Sequence, residues 1–292
     1  MRTKPIRILF FLLTFLPGLF ACKHEAEKPA TVCRLTSVTD QLVESSGKLT
    51  NELQRTFLYL NDTLIGMKEL SPNRNITFGT AQTNGRIVQV ADGSATVIAF
   101  AYSAGGTAPP TSATFTQGGK VQSVFTMQYT TAGQLSQINE RRQILPANSL
   151  VIERTYMFTY DNTGNLTNER VKFIFQGGGP VFEQVTEYTT GMNPSPYTHF
   201  SARSILTVTA LSQVSETHPS RFWHQNAPTA YKTYDLNTDG SRSTLRESST
   251  FAPTYDADNK LMTQDQTALL YQSSVPTPIT KNNRQAFVYE CK

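Results

Sequence analysis

The chain has 292 residues, of which only 16% are charged, and its 26 Lys and Arg exceed its 22 Asp and Glu for a formal charge of +4. Three of the basic residues, Arg2, Lys4 and Arg7, fall in the first 21 positions, so the rest of the chain sets 23 basic against 22 acidic side chains. A body so near neutrality gives no electrostatic case for nucleic acid or acidic lipid as a partner. Its abundance of Thr, Ser, Asn, Gln and Tyr suits pleated sheets better than helices.

The first element is a secretory signal. A basic start is followed by an apolar stretch from Ile8 to Leu16, then Pro17-Gly18 and Leu19-Phe20-Ala21-Cys22. The apolar run is shorter than the roughly 20 residues that a membrane-spanning helix needs. The Leu-x-Ala-Cys ending resembles the lipobox of bacterial lipoproteins. That resemblance implies cleavage before Cys22 and lipidation of Cys22, the membrane being reached through the lipid. The alternative is an ordinary signal peptide with Cys22 as a bystander. Lys23 rather than Asp follows the cysteine, a pattern that in such lipoproteins implies the outer membrane, and the early Glu residues point to surface display. Residues 22–32 are polar and aperiodic and read as a flexible tether. The predicted organisation is a signal peptide at 1–21, a tether at 22–32 and one all-β domain at 33–292.

From Cys33 the pattern is alternation. Val121, Ser123, Phe125, Met127 and Tyr129 share one face of a strand, as do Tyr156, Phe158 and Tyr160, and Phe287, Tyr289 and Cys291. Turn residues separate the runs at Gly118-Gly119, Ala132-Gly133, Asn162-Thr163-Gly164, Gly177–Gly179 and Asp239-Gly240. Residues 193–208 are the single stretch that suits a short helix. The fold predicted is an all-β antiparallel meander of hairpins, strongly twisted, with a sheet that curls or partly closes, because open sheets beyond about ten strands curl or split.

One pattern recurs: an aromatic, then Gly or Asn four residues later and an aliphatic residue six later. It occurs at Phe115-Gly119-Val121, Tyr129-Gly133-Leu135, Tyr160-Gly164-Leu166 and Tyr255-Asn259-Leu261, with a looser copy from Tyr234. The aromatic ends one strand on the buried face, Gly or Asn takes positive φ, and the aliphatic residue re-enters that face. Tyr160-Asp161-Asn162-Thr163-Gly164-Asn165-Leu166 resembles the YD repeat of RHS-type secreted proteins, and Tyr255-Asp256 begins a similar copy. With the lipobox, the chain resembles lipid-anchored YD-like β-proteins of unknown function. That family implies a fold and no catalytic residues.

The remaining cysteines, Cys33 and Cys291, form one possible disulfide in an oxidising compartment, with two unpaired thiols as the alternative. A flat meander would hold its end strands too far apart, so the bridge requires curling or adjacent ends. Asp235, Asn237, Asp239 and Gly240 resemble half of a calcium loop, but Arg246 stands where a bidentate Glu belongs, and a hairpin turn explains the same residues. His24, His199, His218 and His224 have no established zinc spacing. Phe222, Trp223, Tyr231 and Tyr234 are a core cluster or an exposed platform for sugars and peptides, Trp223 inclining to exposure or loop packing. No cofactor, metal or catalytic site is predicted. The expected function is a non-catalytic surface lipoprotein that binds a glycan or protein or serves as an envelope component. The alternative is a glycan hydrolase with carboxylates from different strands.

Overall fold

A computed structural model describes residues 33–291 except 94, 104–107, 145–149, 177–180, 199 and 274. The predicted signal peptide, Cys22, the predicted tether with His24, Gly177–Gly179 and His199 lie outside the described residues. The strands are β1 (Cys33–Val43), β2 (Leu49–Leu60), β3 (Thr63–Ser71), β4 (Arg74–Thr83), β5 (Arg86–Asp92), β6 (Thr96–Tyr102), β7 (Pro110–Gln117) and β8 (Lys120–Tyr129). They continue as β9 (Leu135–Ile144), β10 (Leu150–Tyr160), β11 (Leu166–Phe175), β12 (Phe182–Pro194), β13 (Asn226–Leu236), β14 (Arg242–Tyr255), β15 (Leu261–Leu270) and β16 (Ile279–Cys291). Each pairs antiparallel with its sequence neighbour, and β16 pairs with β1. The predicted meander therefore closes completely into a barrel, which leaves no free sheet edge.

Alternation sends one residue in two into the bore. Phe57, Phe78, Ile98, Phe125, Ile138, Phe158 and Leu166 are buried there. Val121 departs from its predicted face and is 43% exposed. The register slips between Phe115 and Thr116, so Thr116 rather than Phe115 opposes Val121 and the side chain turns outward. The Phe115 copy of the repeat is thus a different hairpin, with positive φ at both Gly118 and Gly119.

Five of the hairpins at the end of the barrel that carries Cys33 and Cys291 share one construction. Tyr59, Tyr102, Tyr129, Tyr160 and Tyr255 each stand last or next to last in a strand, where the register slips by one residue. The hydroxyls of Tyr59, Tyr102, Tyr129 and Tyr160 donate to the carbonyls of Leu35, Ile87, Pro110 and Leu135, each at the start of the preceding strand. Burial pushes Tyr59 and Tyr129 up to about 12, which keeps them protonated as donors. The seam repeats this geometry: Tyr289 opposes Leu35 at a register slip and donates to the Leu261 carbonyl. At the seam the Cys33–Cys291 disulfide stands where the other junctions have a turn.

The aspartate of the Tyr-Asp pair builds the turn. Asp161 Oδ1 accepts from the Thr163 and Asn165 amides at 2.9 Å, and Asp256 Oδ1 likewise from Asp258 and Lys260. Gly164 has φ +83°, as the motif requires. Gly164→Val is expected to cost about 1–3 kcal/mol, since a β-branched residue resists this conformation. An unchanged midpoint in a urea titration would contradict it.

The chain between β12 and β13 enters the barrel as a plug. The helix of the 193–208 stretch begins only at Arg203, as α1 (Arg203–Ser212), because β12 runs through Pro194 and the residues before Pro194 and Pro196 are biased towards extended backbone. Nearly every side of α1 is buried, although it is rich in Thr and Ser. Thr207, Thr209 and Ser212 donate their hydroxyls to carbonyls of their own helix, which removes the cost of burying them. A 3-10 turn (Pro219–Phe222) follows. Trp223 is buried, contrary to the exposed reading: its indole N–H donates to Thr207 and the Arg203 guanidinium covers its ring.

Three wall arginines hold the C-terminal end of α1. Arg142 donates to the Leu211 and Ser212 carbonyls, Arg74 to Gln213 and Arg55 to Ser215, at 2.8–3.2 Å. These carbonyls lie at or just beyond the C-terminal end of α1, the negative end of the helix dipole, where cations are favoured, and Leu211 also accepts from the Val214 amide. Buried Glu69 and Glu140 neutralise the arginines from β3 and β9.

Candidate functional site: a chamber between plug and wall

The plug leaves a cavity of about 410 Å³ against β12–β16 and β1. Gln41, Glu52, Leu270 and Lys281 border it, all near the strand ends opposite the disulfide. Its size falls within the roughly 300–1,000 Å³ of small-molecule sites.

The plug supplies Tyr197, Glu216, His218, Arg221 and His224. Arg221 pairs with Asp40 at 3.0 Å and Glu216 at 2.8 Å, and Arg55 lies 3.8–3.9 Å from both. Burial pushes Asp40 up, but the charge and hydrogen bonds of Arg221, with help from Arg55 and Gln285, outweigh it and hold the carboxyl below its usual range. Asp40 is therefore ionised and committed, a poor general acid. Glu247 differs. Its Oε1 accepts from the Tyr231 hydroxyl at 2.5 Å and Ser249 at 2.8 Å, and among the described residues no cation pairs with it.

Tyr231 is the centre of an aromatic wall. Its ring lies 5.8 Å from Tyr188, 5.7 Å from Phe251 and 5.6 Å from His218, and His224 meets Tyr188 edge-on at 4.6 Å. Burial pushes His224 down to about 3, so it is neutral at physiological pH. Behind this wall lies Glu169, fully buried, which accepts from Ser220 and Tyr188, with His218 Nδ1 4.0 Å away. Ser220 directs its hydroxyl to a carboxylate and meets no imidazole, so the group is not a nucleophile–base pair.

Burial raises the Glu169 pKa, and His218 and Ser220 offset only part of that effect. A carboxyl raised above its unfolded value of about 4.5 favours folding most at low pH, and this contribution is lost as pH rises through the folded pKa. Glu169→Gln is expected to raise the melting temperature at pH 7.5, with the gain vanishing below pH 4. A gain independent of pH would show that ionisation of Glu169 is not the cause.

The structure scatters most of the residues singled out in the sequence. His218, His224 and Tyr231 meet at the chamber, whereas Phe222 and Trp223 are plug core and Tyr234 lies under Arg242 away from it. Asp235, Asn237 and Asp239 form the β13–β14 turn: Arg246 pairs with Asp235, and Ser241 is bonded by Asn237 and Asp239. Among the described residues no group of three or more His, Cys, Asp or Glu is placed to hold a metal. Sequence reading missed Gln264, Gln266, Asn283 and Gln285. Their signal was present as amides at the inward positions of β15 and β16, in step with Ala268 and Phe287.

Fold and site together define a 16-stranded antiparallel barrel, plugged from one end and hollowed at the other. It is similar to a porin-like protein from Bacteroides uniformis, at 14% identity and a TM-score of 0.54, over 88% of this chain and 96% of that one. A porin-like protein from Bacteroides vulgatus is matched at 13% identity and a TM-score of 0.41, over 89% and 99% of the two chains. No family model and no curated protein matches the chain. The likeness to the first structure is one of fold.

Proposed function

We propose that the protein is a non-catalytic, lipid-anchored outer-membrane protein that holds a small ligand in the chamber while its barrel stands outside the bilayer. The chamber, walled by aromatics and an unpaired carboxylate, carries the reading. The outer wall supports the location. Strand alternation puts Arg284 and Asp265, Arg170 and Glu183, and Glu187 with Arg242 on the outside as ion pairs. Membrane barrels carry an apolar band there, and a single Arg at mid-bilayer costs about 2–4 kcal/mol. Residues 22–32 join the barrel at Cys33, opposite the chamber rim, so a lipid on Cys22 would turn the opening away from the membrane.

Two experiments test it. Cys22→Ala is expected to move the protein from the membrane to the soluble fraction, with the lipid mass lost. Retention in the membrane at unchanged mass would refute the anchor. Thermal-shift screening of neutral, cationic and anionic small molecules is expected to find stabilisers of the wild type that do not stabilise Tyr231→Ala. A panel without any chamber-dependent shift refutes the binding role.

A further inference from the structure

We infer that the ligand of the chamber is a neutral saccharide; this rests on the binding role proposed above. The first observation is the polar character of the wall. Gln264, Gln266, Asn283 and Gln285 line it from β15 and β16, and Glu247 Oε2 takes no hydrogen bond from the protein among the described residues. Amides both donate and accept and a carboxylate accepts, so the complement is a ligand with several hydroxyl groups.

The second observation is charge. Among the described residues the chamber's cations are engaged, Arg221 by Asp40 and Glu216 and Lys281 by Glu52. An anionic ligand would find no free countercharge and would meet the one carboxylate without a cation, Glu247. The third is shape. Tyr231, Tyr188 and Phe251 offer ring surfaces to the C–H face of a sugar, while Gln266 and Asn283 stand beside them. A volume of about 410 Å³ suits a saccharide of about one or two rings. A quaternary ammonium ligand would use Glu247 and the rings but, having no N–H donor, would leave the amides unmatched.

Saturation-transfer NMR on the full chain, kept in a detergent without a sugar headgroup, decides the matter. The probes are D-glucose, D-galactose, D-mannose, N-acetyl-D-glucosamine, maltose and cellobiose, with choline and D-glucuronate as charged comparators. At least one neutral saccharide is expected to bind saturably. Its affinity should fall about tenfold or more in Asn283→Leu and in Phe251→Ala, about 1.4 kcal/mol. Either variant keeps the test valid if the other fails to fold, and an affinity unchanged in the folded variant overturns the site. Choline binding that Glu247→Gln abolishes, with no neutral saccharide bound, overturns the ligand class and leaves the binding chamber standing. Binding of glucuronate alone overturns the class as well. If none of the probes binds, the saccharide is refuted, and the wider thermal-shift panel separately decides the binding role.

Discussion

Reduction of the Cys33–Cys291 bridge is expected to remove up to about 5 kcal/mol of stability, the largest effect of any single covalent change in this chain. The two cysteines are 258 positions apart, so the bond closes almost the whole described chain into one loop. In the chain-entropy model a loop of that size constrains the unfolded state by about that amount. The native barrel does not depend on the bond for its shape, because β1 and β16 pair along their length from Cys33–Cys291 to Leu42–Asn283. Reduced protein should therefore remain a barrel with a lower melting midpoint, and its earliest amide exchange should occur in β1 and β16. Equal midpoints for the oxidised and reduced forms, or for the wild type and the double Ser variant, would contradict this account.

Arg55→Met is expected to cost about 3–5 kcal/mol. Arg55 is 1% exposed and donates to Glu69, to the Ser215 carbonyl and to the Ser215 hydroxyl. Methionine keeps much of the volume but leaves the fully buried Glu69 with Arg74 at 3.5 Å and the Ser215 hydroxyl at 3.2 Å. It also strips a carbonyl at the end of α1 of its donor. Adding Glu69→Leu should recover much of the loss, since most of it is the penalty of an isolated charge. Urea denaturation of the two variants measures this. A cost below about 1 kcal/mol for Arg55→Met would mean that the plug is held by its apolar contacts alone.

The strands were legible because alternation is a local property. Phe125 and Met127, or Tyr156 and Phe158, announce a buried face without knowledge of any partner. The tyrosine turns were legible for the same reason, since Asp161 and Gly164 act within their own five residues. Closure could be read only as a tendency. It depends on how β16 meets β1, and the two cysteines marked that meeting without establishing it. The plug was legible only as a short helix within 193–208, because α1 carries Thr and Ser where a buried helix is expected to be apolar. Their hydroxyls are satisfied inside the helix, and the carbonyls at its C-terminal end are met by Arg55, Arg74 and Arg142 from distant strands. The chamber was illegible as a site, since Tyr231, Glu247, Gln266, Asn283 and His224 come from four strands and the plug and share no spacing.

The junction of Tyr289 with Leu35 is built like those of Tyr129 with Leu135 and Tyr160 with Leu166, with a sulfur bond in place of a five-residue turn. The molecule is in this sense a ring with an arbitrary origin. A gene rearranged to begin at Gln134 and end at Gly133, with a short turn joining residue 291 to residue 33, would encode the same circle of contacts. Evolution could move the opening of such a ring from one tyrosine junction to the next without redrawing the barrel.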